Sequence, residues 1–299
     1  MKLKRRKALT AGTEWSSAEE KKLLNYLRTR KYNADALRRL FPRRELPSIR
    51  SKVRKMRIAH DLFGSNYRKT KEAFTSSIGE LASPHSVFEA YAGAGHQTVI
   101  WAEKASIVFA SEKLSKKREQ FCKRMERAGY KKTSTKNKWV AFRKGRKKVM
   151  LYQGDAVEAA TSISARGHRV DLIDLDTCGS TLPTVPIFLT LLKPKHLVIT
   201  HGEFHSMRFM REDVLRRTLP HRDIDKTPFP LTVDKMAKEL DKAVKVYALR
   251  SHNETGNSFW ADLKNEQWLG KKSQGMLRRH YVITKPAATA DCLNHLASA

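Results

Sequence analysis

Over residues 14 to 58 the apolar positions recur with a helical period. Ser16-Ser17-Ala18-Glu19-Glu20 is a capping-box sequence preceded by Trp15, and Leu23, Leu24 and Leu27 follow at helical spacing, which predicts a first helix. Ala34 to Phe41 reads as a short second helix stopped by Pro42, and Pro47 or Ser48 opens a third that runs to about Ile58. In the third, Ile49, Val53 and Met56 form an inward stripe, while Arg50, Lys52, Arg54, Lys55 and Arg57 take the other faces. A linker then turns helical near Tyr67 to Leu81 and closes with Ser83-Pro84-His85. From Ser86 onward strand-like runs alternate with helical ones: Val87–Tyr91, Ile107–Ser111, Val149–Gln153, Val170–Leu175, His196–Thr200, Val244–Leu249 and His280–Thr284. Seven strands with intervening helices predict an α/β sheet behind a small all-α module. The expected boundaries are an arm over 1–13, the helical module over 14–60, a linker and helix over 61–85, the α/β domain over 86–288 and a tail over 289–299.

Charge adds a partner to this picture. The 299 residues hold 60 Lys and Arg against 30 Asp and Glu, a formal charge of +30, and 40% hydrophobic content argues for a folded polycation rather than a disordered basic tail. Residues 1–70 carry 21 basic and 6 acidic side chains, and residues 113–148 carry 16 and 2, so two segments supply 29 of the 30 excess charges. Polyphosphate, meaning DNA or RNA, is the expected counter-surface. No membrane role is expected, because the longest apolar runs, such as Ile187 to Leu192, fall far short of the roughly 20 residues that span a bilayer. The stretch 131–148 alternates basic residues with Trp139, Val140 and Phe142 around Gly145, which predicts a basic insertion or hairpin before the third strand. Its Lys144, Arg146 and Lys147 are expected phosphate contacts, with aromatics able to stack on bases. The start MKLKRRK has no apolar segment behind it, and Cys122, Cys178 and Cys292 show no paired spacing, so a reducing intracellular setting, cytoplasmic or nuclear, is expected.

Trp15, the Glu19-Glu20 pair, Phe41 followed by Pro-Arg-Arg, and the basic third helix resemble a Myb/SANT or homeodomain-like helix-turn-helix unit. That resemblance implies nucleic-acid contact by Arg50, Lys52, Arg54, Lys55 and Arg57. A small helical bundle that only packs on the main domain is the alternative.

The chemistry-bearing string is Ser86-Val-Phe-Glu-Ala-Tyr-Ala-Gly-Ala-Gly-His-Gln-Thr98, a strand, a glycine turn and a helix. Gly93 and Gly95 permit a tight turn and close ligand approach, and the helix N-terminus behind them favours polar or anionic groups. Glu112 falls 19 residues after Gly93 at the end of the second strand, where an acid grips ribose hydroxyls. NAD would suit that separation. Glu89 inside the first strand and Thr98 where a dinucleotide site wants its third glycine favour S-adenosylmethionine. The string resembles the E/D-x-x-x-G-x-G cofactor turn of class I methyltransferases, which implies a seven-stranded Rossmann-like sheet in the order 3-2-1-4-5-7-6 with the last strand reversed. It also implies that Glu89 acts near the methionine moiety, that Gly93 and Gly95 make room, and that Glu112 holds the ribose. Tyr91, Thr98, Lys113, Ala156 and Asp174 complete the expected cofactor shell. Asp155, after Gln153-Gly154, can meet the adenine amine, as in that family, and can equally cap the next helix, two roles that can coexist.

The fourth strand delivers Val170-Asp-Leu-Ile-Asp-Leu-Asp-Thr-Cys-Gly-Ser180, with carboxylates at the carboxyl end of a central strand, where open α/β sheets keep their active sites. This string resembles the D-x-D-P-F/Y-G-S-P segment of the tRNA guanine-N2 dimethyltransferases. Carried over by position, Asp176 orients a substrate amine and accepts its proton, the Thr177 carbonyl assists, and Gly179 and Ser180 shape the loop. Thr177 stands where the family has proline and Cys178 where it has an aromatic. Cys178 also admits the thiolate chemistry of cytosine C5 methyltransferases. His201, Glu203 and His205, followed by Arg208 and Arg211, read as loop structure or phosphate contact, and the aromatics of Asn253 to Trp268 as either a grip on a flipped base or cover for the sheet. The leading function is methyl transfer to a nucleic acid with S-adenosyl-L-methionine as cofactor. The rival is a non-enzymatic DNA- or RNA-binding protein on a methyltransferase fold.

Overall fold

The computed structural model describes residues 14–29, 33–59, 67–177, 179–220, 231–251, 259–270 and 276–285. The chain divides into two compact units, residues 1–65 and 66–299. The expected arm, the start of the linker (residues 61–66) and the C-terminal tail lie outside the described residues.

In the first unit α1 (Ser17–Thr29), α2 (Ala34–Leu40) and α3 (Leu46–Ala59) bury Leu23, Leu27, Leu37, Phe41, Ile49, Val53 and Met56. The capping box forms in full: Glu19 N–H donates to Ser16 Oγ (3.2 Å), and Ser16 N–H donates back to Glu19 Oε2 (2.9 Å). Glu19 also accepts two bonds from Arg44 (3.0 and 2.8 Å), whose guanidinium lies 5.0 Å from the Trp15 ring. The Arg44 bonds, helped by Ser16 and opposed by burial, bring the Glu19 carboxyl down to about 2. Trp15 meets Phe41 edge-on at 5.1 Å. Lys52 departs from its expected place on the outer face. It pairs with Glu20 and lies 5.9 Å from Trp15, because it falls on the side of α3 that turns toward α1. Arg50, Arg54 and Lys55 are exposed, and Arg57 is half-buried.

The second unit begins with α4 (Arg68–Ala82), which buries Phe74, Thr75, Ile78 and Gly79. Nine strands follow: β1 (Ser86–Ala90), β2 (Ile107–Ser111), β3 (Lys131–Lys136), β4 (Trp139–Lys144), β5 (Lys147–Tyr152), β6 (Leu172–Asp176), β7 (His196–His201), β8 (Trp260–Leu269) and β9 (Met276–Thr284). Between them lie α5 (His96–Lys104), α6 (Ser115–Arg127), α7 (Ala156–Ala165), α8 (Val185–Leu192), α9 (Glu203–Arg208), α10 (Glu212–Thr218) and α11 (Val233–Arg250). The sheet order is β3-β4-β5-β2-β1-β6-β7-β9-β8, parallel from β5 to β7 and antiparallel at both ends. Without the β3–β4 pair at one edge, the seven strands from β5 to β8 run in the expected 3-2-1-4-5-7-6 order. One face packs Phe74, Ile78, Trp101 and Phe121 over the sheet, and the other packs Phe188, Leu240, Val244 and Tyr247. Among the described residues no helix is long and apolar enough to cross a membrane.

Two expectations about strands fail. The count is nine because the basic insertion is a full hairpin, β3–β4, that extends the sheet edge. Val244–Leu249 is no strand. Met236, Leu240, Val244 and Tyr247 recur every three to four residues behind the Thr232 N-cap, so that apolar run is one face of α11. The sixth strand of the order is instead β8, whose alternation is broken by Lys264, Asn265, Glu266 and Gln267. The late aromatics accordingly cover the sheet: Phe259 is buried, and Trp268 meets Phe204 edge-on at 5.0 Å. Asn253 and Asn257 lie outside the described residues.

A buried ionic network ties the sheet centre to α4. Strand register sets Glu89 beside Asp174, and Thr200 beside both Asp176 and Arg278, and the period of two puts all five on one sheet face. Arg278, fully buried, donates to Asp174 Oδ2 (2.7 Å), Thr200 Oγ1 (2.6 Å) and Thr75 Oγ1 (3.1 Å), and Trp101 Nε1 adds a bond to the same Asp174 oxygen (2.7 Å). Glu89 receives the Thr98 hydroxyl. Burial first, then the neighbouring Asp174 charge, hold its carboxyl well above the usual range.

Arg278→Leu leaves Asp174 buried without its cation and is expected to cost about 3–5 kcal/mol in urea unfolding, with part recovered in Arg278→Leu/Asp174→Asn. For Glu89, a raised folded pKa means that the native state binds the extra proton. Stability is then complete below the unfolded pKa and falls as pH rises toward the folded one. Glu89→Gln should unfold at the same urea concentration as the parent at pH near 4 and at a higher one at neutral pH.

Candidate functional site

The site is built from the carboxyl ends of β1, β2 and β6. After β1 the chain turns through Tyr91 (φ 64°), Gly93 (φ 57°) and Gly95 (φ 78°), three left-handed positions within five residues. The two glycines serve different ends. A Cβ on Gly95 would stand 2.8 Å from the Phe121 ring, so this residue lets α5 seat against α6. A Cβ on Gly93 would find only the Tyr91 carbonyl, at 4.0 Å, so its absent side chain faces open space. Tyr91 is half-buried, and burial raises its phenol pKa.

Glu112, at the end of β2, faces that turn. Its Oε2 accepts the Gly93 amide (2.9 Å) and its Oε1 the Leu114 amide (2.7 Å), so backbone donors orient both oxygens. Lys113 beside it is exposed, and Thr98 is committed to Glu89 within the buried network. Asp155 takes its capping role: it is the N-cap of α7, and its Oδ1 accepts the Val157 amide (2.8 Å), with Ala156 buried behind it. Asp174 is sealed from solvent and held by Trp101 and Arg278, which makes it a support of the site rather than a part of its surface.

Asp176 closes β6 with its side chain 20% exposed, and its Oδ2 accepts the Lys71 ammonium from α4. Burial opposes its ionisation, but Lys71, Arg278 and Thr200 outweigh burial and hold its pKa below the ordinary aspartate value. Thr177 uses its hydroxyl to close the next turn, accepting the Gly179 amide and donating to the Gly179 carbonyl, both at 2.8 Å. Cys178 lies outside the described residues.

Lys71 was invisible to sequence reasoning, because nothing in a helix 105 residues earlier marks it as a partner of Asp176. Arg278 was missed for a similar reason: it lies before the expected run His280–Thr284, in the part of β9 that the apolar pattern did not mark. His201 and Glu203, expected as loop or phosphate contacts, are 0% and 2% exposed and lie 3.5 Å apart at the end of β7, which excludes direct phosphate contact in this conformation. The expected phosphate contacts of the hairpin divide. Lys144 donates to the Ala128 carbonyl (2.8 Å) and Lys147 to the Glu103 carbonyl, whereas Arg146 is exposed at the turn. Lys131, Lys132, Lys136 and Arg143 are also exposed.

No family model and no curated protein sequence matches the chain. Solved structures do. Trm1 from Pyrococcus horikoshii, in complex with S-adenosyl-L-methionine, matches with a TM-score of 0.56 and 15% identity over 74% of this chain and 57% of that one. An O-methyltransferase from Bacillus cereus in complex with SAH matches at 0.42 and 15% over 71% and 80%, and a putative RNA methyltransferase from Pyrococcus horikoshii at 0.40 and 12% over 74% and 83%. The chain thus spans little more than half the length of the Trm1 structure. The α/β unit, with its large mixed sheet, has the fold of the Rossmann-like methyltransferases.

Proposed function

We propose that the chain is an S-adenosyl-L-methionine-dependent methyltransferase that modifies a base amine of DNA or RNA. The observation that carries this reading is the convergence of three strand tips: the Gly93 amide meets Glu112, and Asp176 ends the strand beside β1. The residues present suit the cofactor. Gly93 opens toward ligand space, Glu112 supplies oriented acceptors for ribose hydroxyls, and Asp155 stands at the neighbouring tip for the adenine amine. Bound there, the cofactor supplies an electrophilic methyl group on a sulfonium. The chain does the rest by alignment. Asp176, ionised and therefore an acceptor, takes an N–H of the substrate amine and turns its lone pair toward the methyl, with Thr177 beside it. The Trm1 structure supports the fold of this reading, and its bound S-adenosyl-L-methionine agrees with the cofactor assigned here.

A second reading, a nucleic-acid binder on this fold, draws on the Thr177 turn, where a hydroxyl replaces the ring constraint of the resembled family. Calorimetric titration with S-adenosylhomocysteine separates the two, since binding at micromolar concentration is expected of the enzyme and none of the binder. With labelled cofactor and pools of DNA and RNA digested to nucleosides, Asp176→Ala should lower methyl transfer by about 10²- to 10⁴-fold while Cys178→Ser retains it. The opposite pattern would establish thiolate chemistry at Cys178.

The substrate class follows from charge. Exposed Arg50, Arg54 and Lys55 on α3 form one basic surface of a helix-turn-helix-like module, and exposed Lys131, Lys132, Lys136 and Arg143 on the hairpin, with Arg146 in the turn to β5, form another. If these neutralise phosphates, log K for RNA or DNA falls linearly with log salt. Charge-removing variants on either surface then reduce that slope by about 0.7 to 0.9 per lost contact. A salt-independent affinity would refute the polyphosphate partner.

A further inference from the structure

Lys71 falls in the first turn of α4, on the side shared by Phe74, Thr75 and Ile78, so it belongs to the face that the helix buries. A lysine on such a face ordinarily extends its ammonium outward to water. This one turns inward: its side chain is 17% exposed, and its ammonium donates to Asp176 Oδ2. The surroundings explain the direction. Asp176 shares its sheet face with two further carboxylates, Glu89 and Asp174, and the nearest other cation, Arg278, is committed by direct bonds to Asp174, Thr200 and Thr75. Lys71 from α4 is therefore the cation that touches Asp176, with Arg278 from β9 acting on it at longer range.

The geometry points to Lys71 as a positioning residue for Asp176: by taking one carboxylate oxygen it fixes an ionised acceptor whose remaining open edge admits an amine donor and turns away carbonyl or ring-nitrogen acceptors. This assignment rests on the amine-methylating reading above. An ammonium has only donors, so it can bind Asp176 while the carboxylate is ionised and has nothing to offer once it is protonated. In the transfer a bond forms between the amine nitrogen and the methyl carbon, and the sulfonium S–CH3 bond breaks with its electron pair returning to sulfur. The proton shed by the alkylated nitrogen passes to Asp176 or to water. Without Lys71, only Arg278 and Thr200 would remain to oppose burial, and the carboxylate would protonate at a higher pH.

The test uses the full-length chain as wild type, Lys71→Met, Lys71→Arg and Lys69→Met, the last removing an exposed charge from the same helix. Two quantities are followed over about pH 5 to 9, with the first extended to lower pH: the 13C signal of the Asp176 carboxylate, assigned by its loss in Asp176→Asn, and methyl incorporation from labelled S-adenosylmethionine into total RNA and genomic DNA. Lys71→Met should move the carboxylate midpoint and the acidic limb of the rate profile upward together by about 2 pH units. Lys71→Arg should bring both most of the way back, and Lys69→Met should leave both at the wild-type position. An unmoved carboxylate midpoint in Lys71→Met overturns the assignment whatever the rates. So does a wild-type midpoint at or above about 3.9, a measurement that needs no variant to fold. If the midpoint moves but the wild type methylates neither polymer, the amine-transfer reading fails, and the positioning role is withdrawn with it.

Discussion

Three carboxylates share one face of the sheet at its centre, and the molecule depends on how their charge is met. Glu89 and Asp174 stand side by side on adjacent strands, sealed from water, and a third, Asp176, follows Asp174 by one strand repeat. Each is answered differently. Asp174 receives the buried guanidinium of Arg278 and the indole of Trp101, Glu89 gains proton affinity and the Thr98 hydroxyl, and Asp176 takes the ammonium of Lys71. The answers come from β9, α5 and α4, elements far apart in sequence, so the polar centre also fixes how the helices of one face sit on the strands.

The same arrangement grades exposure from the inside outward. Asp174 is buried completely, Glu89 almost so, and Asp176 keeps a fifth of its side chain open where the sheet ends. A carboxylate held ionised at the rim while its neighbours are locked below it is an oriented acceptor with one free approach. The glycine turn beside it repeats the division at the level of single residues: Gly95 is consumed by packing against Phe121, and Gly93 faces open space.

Local patterns made much of this legible. The capping box at Ser16, the stripe of Ile49, Val53 and Met56, the turn at Gly93 and Gly95, and the acid at Glu112 are all short-range features, and short-range physics placed them. The hairpin before β5 was readable from the alternation of basic residues with Trp139, Val140 and Phe142, although its own turn falls at Asn137 and Lys138, and Gly145 serves the next turn, between β4 and β5. The run at Val244 failed because six apolar residues suit a strand and a helix face alike, and only the wider period back to Met236 decides between them. β8 hid behind its polar outer positions. Lys71 and Arg278 escaped because their roles depend on contacts 105 and 104 residues away, which no spacing rule reports.

The hairpin leaves β3 at the margin of the sheet with all six residues exposed, three of them lysines, and, among the described residues, one row of its backbone donors and acceptors without a neighbouring strand. A second copy that tried to continue the ladder there with its own β3 would bring like charges against Lys131, Lys132 and Lys136. Lysines at such an edge disfavour edge-to-edge pairing, and the effect weakens wherever counterions or a bound polyanion mask them.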